Sequence, residues 1–452
     1  MNTIQDRTEI FERMPVRQAV CRQIFPAVAA QMIALVYNLA DTYFVGMLND
    51  PHQTAAVTIV APAFVMLTAI SNLFGVGGAS AIARALGKKH TMKAKQMASI
   101  AFWFGLAGSI LFSLLFFLLA KPLLSLCGAT EETFDIAFAY AKYVVILGGC
   151  PTVLNTLLAN LIRSEGSAAK ASFGVSLGGL VNIVLDPLFI LPQFAGLGAV
   201  GAGMATALSN CTALVYFLIF LYRQRKNTVI RIHPKSLLFT KRYLPSILSI
   251  GFPSAVQYAL TVVAVAAQSK FVSHYATEAV AALGIVKKLD QLPLYFSIGV
   301  ASGLLPLLAY NYSAGNQKRR QEAFRFGVMI SLGFSLLCLV AYEIFAPQLA
   351  ALFINDPATV NYSASFLRRM VTAMPMMSIC YPMIIQFQAM GKVRESLFAS
   401  ILRKGVLDIP LLALMDHLLP LYGCMWVQPI VDSISLIVVL IFYRNLKRKE
   451  AV

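Results

Sequence analysis

Four stretches of the chain, 51–83, 96–120, 187–222 and 291–317, contain no Asp, Glu, Lys or Arg. About 20 apolar residues suffice for a helix to cross the hydrocarbon of a bilayer. There every backbone N–H and C=O must be satisfied inside the protein, so only helices and closed barrels span. The longest runs are broken by glycine and proline, which makes them helix ends joined by hairpins. Alternation of period two, the mark of a β-barrel, is absent. Composition agrees: of 452 residues 58% are apolar and 13% charged, about half the ~25% charge of soluble globular proteins. An ordinary cytosolic enzyme is excluded.

These patterns predict an all-α polytopic membrane protein of about twelve spans: 18–48, 55–85, 96–120, 135–162, 170–191, 198–222, 245–274, 279–311, 322–346, 360–389, 394–418 and 421–443. Basic residues decide the orientation. Thirty of the 37 Lys and Arg fall in one set of alternate loops and the tails, whereas the opposite loops hold only Lys121. Both termini are therefore expected in the cytoplasm of a cell-membrane protein. The net charge of +17 is read as this topology signal, and no nucleic-acid partner is needed to explain it. The first 22 residues mix both charge signs without an apolar core, so a cleaved leader is not expected. Seven cysteines, with no C-x-x-C pair, read as small buried residues.

The chain repeats itself at a period of about 225 residues. Pro122 aligns with Pro347, Pro151 with Pro375 and Gly166 with Gly391. Two six-helix lobes follow, 1–222 and 245–452, joined by a basic cytoplasmic linker at 223–244. Paired bundles around a central site are a common transporter plan, with access alternating by rocking.

Ionisable groups inside a membrane are costly and are functional candidates by default. With a rise of about 1.5 Å per residue, Asp41 lies roughly 10 Å, Asp186 about 8 Å and Thr206 about 12 Å from the outer ends of their helices, one layer of the first lobe. Asn182 and Asp186 share a helix face at i,i+4, as do Tyr37 and Asp41. Such a group would either share a proton or offer oxygens to a small cation. The second lobe is expected to lack this layer: Gln268 stands where Asp41 does, and Asp290 follows Lys287 at i+3 as a neutralised pair. Asp408 and Asp432 stay open between packing and cavity lining. Pro26, fifteen residues from Asp41 on the same helix, is a candidate bend. The Met374-Pro-Met-Met run suits an adaptable apolar cavity.

Tyr37-Asn-Leu-Ala-Asp-Thr-Tyr-Phe-Val-Gly46, Asn182-Ile-Val-Leu-Asp-Pro-Leu188 and Gly198-Ala-Val-Gly-Ala-Gly-Met-Ala-Thr206 resemble signatures of the multidrug and toxic compound extrusion (MATE) family. Gly251-Phe-Pro-Ser and Pro306-Leu-Leu-Ala-Tyr-Asn311 look like its second-half marks. The resemblance implies a V-shaped pair of bundles that exports amphiphilic, often cationic organic compounds in exchange for H⁺ or Na⁺, without a cofactor. In the branch related to DNA-damage-inducible protein F it assigns coupling to Asp41, Asn182 and Asp186, with Thr206 and Tyr37 at neighbouring positions. These residues, without Tyr37, would also form the Na⁺ site if sodium couples. Asn160, Gln257, Gln268 and Met374 are the expected substrate-cavity residues. Helix 7 carries no acid, unlike the sodium-coupled branch with a Glu there, and H⁺ is the favoured ion. A monomer embedded in lipid is expected. The competing readings are a lipid-linked precursor flippase, suggested by Lys270, Lys287, Lys288, Arg368 and Arg369, and a membrane-embedded enzyme. The five histidines never pair at ligand spacing, which argues against the enzyme.

Overall fold

A computed structural model describes residues 4–48, 50–354 and 356–451, and it is helical throughout with no strand among them. In the first half α1 is Val16–Gly46, α2 Pro51–Gly87, α3 Thr91–Leu118, α5 Ala168–Ile190 and α6 Gly198–Arg223. Between them α4 is a bent pair, Glu131–Leu147 and Gly149–Ser164. In the second half α7 is Thr240–Val272, α8 Thr277–Ser313, α9 Gln317–Ala351, α10 Pro357–Met390 and α12 Gly423–Ala451. The remaining segment, α11, runs in pieces: Val393–Ile401, a π-helical turn Leu402–Val406, and Asp408–Leu418. Ten described helices are long and apolar enough to cross a membrane, and α4 makes an eleventh if its arms, bent by 45°, form one span. The remaining expected span, 394–418, is a broken helix, with Lys404 at a non-helical φ of −139° and ψ of 51°.

Local chemistry sets the helix starts. Asp50 caps α2, its carboxylate accepting from the His52 N–H at 2.9 Å, and Asp356 caps α10 from the Thr359 N–H at 2.8 Å. Each is followed by proline at the first helical position, where the missing N–H costs nothing. Gly166 and Gly391, partners in the 225-residue repeat, both close a turn with left-handed backbone, φ +91° and +74°. Helix surfaces invert the soluble pattern. On α3 the exposed side chains include Leu111, Leu114, Leu115 and Leu118, a stripe at i, i+3, i+4 and i+7 that in water would be an aggregation site and in a bilayer meets lipid.

The core divides into three parts. One cluster joins both halves and contains Val20 and Ile24 of α1, Ile82 of α2, Ile247 of α7 and Leu304 of α8, together with Phe11 and Leu446. The other two are confined to one half each, 45–202 and 272–431. The bundles are therefore fused at the end that holds residues 10–11 and 446, and separate toward the other end, as a V. Along the seam α1 packs on α8 and α2 on α7, backbone against backbone. A Cβ on Gly251 would fall 1.7 Å from the Leu73 carbonyl oxygen, and one on Gly77 would fall 2.1 Å from that of Ile247. Short helix Ile4–Glu12 locks this end: Arg319 donates to the carbonyls of Phe11 and Met14, each at 2.6 Å, and Tyr310 donates to Glu12.

Gly251→Ala is expected to open the seam, because the atom it meets belongs to backbone and cannot move aside. A loss of about 1–3 kcal/mol is the usual scale of overpacking. Thermal unfolding in detergent should show the drop, with Gly284→Ala, whose Cβ meets nothing within 4 Å, melting like the wild type.

Candidate functional site

Helices α1 and α5 pack face to face because α5 is small where they meet: a Cβ on Gly179 would touch Ile33 at 2.8 Å and the Tyr37 ring at 3.1 Å. That approach brings Asp41 and Asp186 into electrostatic contact, and Tyr37 feels both. Asn182 and Asp186 are buried, and the Asn182 amide donates to Asp186 Oδ1 at 3.0 Å. Asp41 Oδ1, Asn182 Oδ1 and Asp186 Oδ2 are buried with no hydrogen-bond donor. The layer thus contains more acceptors than donors. A buried group left in this way costs about 1–3 kcal/mol, more when charged. Protons on the carboxyls would supply donors. A small cation would take the same oxygens as ligands.

Tyr140 was not singled out by sequence reasoning. It lies on α4, buried, and interacts electrostatically with Asp41, Asp186 and Tyr37; Gly203 of α6 lets its ring approach, a Cβ there falling 3.0 Å from it. Thr206 is placed differently. Its carbonyl accepts from the Ser209 hydroxyl at 2.9 Å and the Asn210 amide at 3.0 Å, and its hydroxyl makes no hydrogen bond to either carboxylate among the described residues. Asn210 continues into a polar bridge between α6 and α4, donating to Thr152 at 3.1 Å and accepting from Asn155 at 3.0 Å. Asn160 accepts from Arg163 at 2.9 Å and packs over Gly75, tying α4 to α2. Gln257 is half-buried on α7. In the second bundle, Gln268 is buried with its amide donating to the Cys424 carbonyl at 2.9 Å, and Met374 belongs to the core. Pro26 lies inside an unbroken α1, between Gln23, whose carbonyl faces Gly303, and Val28, which faces Gly299.

Among its described residues the second bundle lacks such a layer and holds a paired charge cluster instead, which includes Asp408 and Asp432, the two acids the sequence left open. Arg403 Nε and Asp432 Oδ1 form an ion pair at 2.8 Å, both side chains 1% exposed. Gln428 donates to Asp432 at 2.9 Å, Lys404 donates to Gln428 at 2.6 Å, and Arg403 stacks over Tyr381 at 4.2 Å. Lys287, Asp290 and Asp408 interact electrostatically with this group. Arg403 and Lys404, counted as loop charges in the sequence, belong to it because the break in α11 turns both inward. Three cations face three carboxylates here, so the cluster is balanced where the α1–α5 layer is not. Among the described residues no three His, Cys, Asp or Glu side chains are grouped to hold a metal ion.

The family profile of MatE matches residues 26–188 and 253–414, one match in each half. The chain belongs to the MatE family. Among MatE relatives, the multidrug export protein MepA of Staphylococcus saprophyticus is 30% identical over 434 residues, covering 96% of this chain and 95% of the relative. A solved outward-facing conformation of a multidrug resistance MATE family transporter of the MOP superfamily superposes with a TM-score of 0.90 at 25% identity, covering 97% of each chain. A MATE structure in a bent conformation superposes at 0.86, again at 25% identity, over 99% of each chain. The repeated match agrees with a MatE fold built from two six-helix bundles.

Replacing Asp432 by Asn leaves Arg403 charged and buried. Breaking such a pair costs about 3–5 kcal/mol, so Asp432→Asn is expected to lower the melting temperature sharply. The double replacement Arg403→Leu/Asp432→Leu should recover much of the loss in the same thermal measurement.

Proposed function

We propose that this MatE protein is a cation-coupled multidrug antiporter that exports amphiphilic, mostly cationic organic compounds by alternating access, with H⁺ as the coupling ion and Na⁺ as the alternative at the same site. The observation that carries the reading is the acceptor surplus of Asp41, Asn182 and Asp186 in the α1–α5 layer. A site short of donors binds a proton or a small cation, and an arriving organic cation competes with it for the same carboxylates. Exchange follows from that competition, because the layer is neutralised by one occupant or the other. Tyr37 and Tyr140 belong to the layer as phenols beside the carboxylates, and Thr206 borders it through α6.

A route from the site to the seam runs along α1. Asp41 and Pro26 are on one helix, and the stretch around Pro26 is the part of α1 that meets Gly299 and Gly303 of α8. Proline removes a helix hydrogen bond at that point, so α1 is easiest to reshape where it seals the two bundles. Neutralising Asp41 would change the balance between straight and bent forms of α1, and with it the seam. In this reading the protein acts as a monomer in the cell membrane, with both termini cytoplasmic and the fused end of the V facing the cytoplasm. Asn160, Gln257, Gln268 and Met374 remain the proposed cavity residues, reached when the bundles move.

Lipid-linked precursor flipping would call for free cations facing the space between bundles. Of the cations suggesting it, Lys287 faces the balanced cluster, Arg368 pairs with Glu343 at 3.9 Å and Arg369 stacks on Tyr422 at 4.4 Å. Antiport is the better-supported reading.

Dye accumulation in inverted vesicles under separately imposed proton and sodium gradients tests it. Wild type should move dye on a proton gradient alone, and Asp41→Asn and Asp186→Asn should each fall to background. Transport on sodium alone would exchange the ion but keep the site. Dye movement that ignores both gradients and both substitutions would end the proposal.

A further inference from the structure

A cavity of about 350 Å³ lies at the fused end of the V, between the bundles. From the first half it is lined by Arg84 and Lys88 at the end of α2 and by His90 and Lys93 at the start of α3; from the second half Ser246 of α7 and Tyr312 of α8 complete it. None of its lining residues is acidic. Arg84, Lys88 and Lys93 have no carboxylate within ion-pair distance among the described residues. Lys93 also lies over the Tyr243 ring at 5.7 Å, and Arg242 approaches the same ring at 5.5 Å, which adds a fourth cation at the rim.

The backbone around this cavity points the same way. At the end of α2 the carbonyls of Arg84, Ala85 and Leu86 are already taken by the N–H groups of Lys88, His90 and Lys89. To close that turn Lys89 adopts a left-handed φ of 59°, uncommon for a lysine. The carbonyls at the end of α2 are therefore satisfied, while the first N–H groups of α3 have no partner within their own helix, as at any helix start. His90, which precedes them, makes no side-chain cap. A helix N-terminus beside uncompensated basic side chains is suited to an oxyanion, and the Ser246 and Tyr312 hydroxyls add donors from the opposite bundle.

We propose that this cavity binds a phosphate-type anion across the two bundles, and that binding favours the conformation closed at this end. Closing the seam gathers the cations of α2, α3 and α7 around one space, and their mutual repulsion opposes it. An anion in the middle reverses that sign. Rocking the bundles apart would carry Ser246 and Tyr312 away from Arg84 and Lys88 and dismantle the site, so the ligand has higher affinity for one state and shifts the population toward it. The group could be the headgroup of an anionic phospholipid or a soluble phosphate, since the donors recognise the same oxyanion.

The test uses the purified full chain, with binding and melting temperature as readouts, so it does not depend on what the protein exports. One arm adds inorganic pyrophosphate to protein in neutral detergent. The other compares phosphatidylcholine vesicles with and without phosphatidylglycerol. Removing a surface lysine weakens attraction to an anionic headgroup by about 1 kcal/mol, about fivefold, so Lys88→Gln/Lys93→Gln should bind at least tenfold more weakly. Lys226→Gln/Lys447→Gln removes equal charge from exposed positions outside the cavity and should behave as wild type. Lys88→Gln alone, at an exposed position, serves as the second variant should the double one fail to fold. A melting shift with pyrophosphate alone assigns a soluble anion, and a shift with phosphatidylglycerol alone assigns a headgroup; either supports the site. Equal anion binding by the wild type and the cavity variants would overturn it, as would a wild type indifferent to both anions.

Discussion

Three buried oxygens without donors, on Asp41, Asn182 and Asp186, are the constraint on which the functional reading of this protein depends. Water would satisfy such groups on a surface; between packed helices a proton or a cation can do so. The demand is created by packing: Gly179 lets α1 approach α5 closely enough to set two carboxylates in one layer, and the Asn182 amide donates to one of their oxygens. Each unsatisfied group costs about 1–3 kcal/mol, and on the proposed reading that cost is what couples occupancy of the layer to conformation.

The two bundles use buried charge in opposite ways. In the second, Arg403 and Asp432 are paired at 2.8 Å, and Lys287, Lys404, Asp290 and Asp408 balance each other around them. A break in α11 makes this possible, and α5, its counterpart in the repeat, is continuous. The duplicated architecture therefore balances buried charge in one half and leaves buried acceptors without donors in the other. Between them the seam of α1 and α2 against α8 and α7 is backbone contact at glycines.

Much of the architecture was legible in the sequence, because a bilayer imposes length and apolarity on each helix separately. The charge-free runs placed the spans, and the i,i+4 spacing placed Asn182 beside Asp186. The repeat aligned Gly166 with Gly391, which share a left-handed backbone. What stayed hidden depends on distant partners. Tyr140 is one aromatic residue in an apolar helix until α4 turns it toward Asp41. Arg403 and Lys404 follow a basic turn and read as part of it; only the break in α11 and the presence of Asp432, 29 positions away, draw them inward. The open question of Asp408 and Asp432, packing or cavity lining, turned on those distant partners. Glycines such as Gly77 and Gly251 likewise gave no sign, from spacing alone, of which backbone each would meet.

Ion release on substrate binding is the most direct test of the account. Purified protein in weakly buffered detergent would be mixed with a cationic dye while pH and free sodium are followed together. Proton release by the wild type that disappears in Asp41→Asn/Asp186→Asn is the predicted result. Saturable dye binding with no release of either ion would contradict the central claim, because an acceptor layer that exchanges nothing cannot couple.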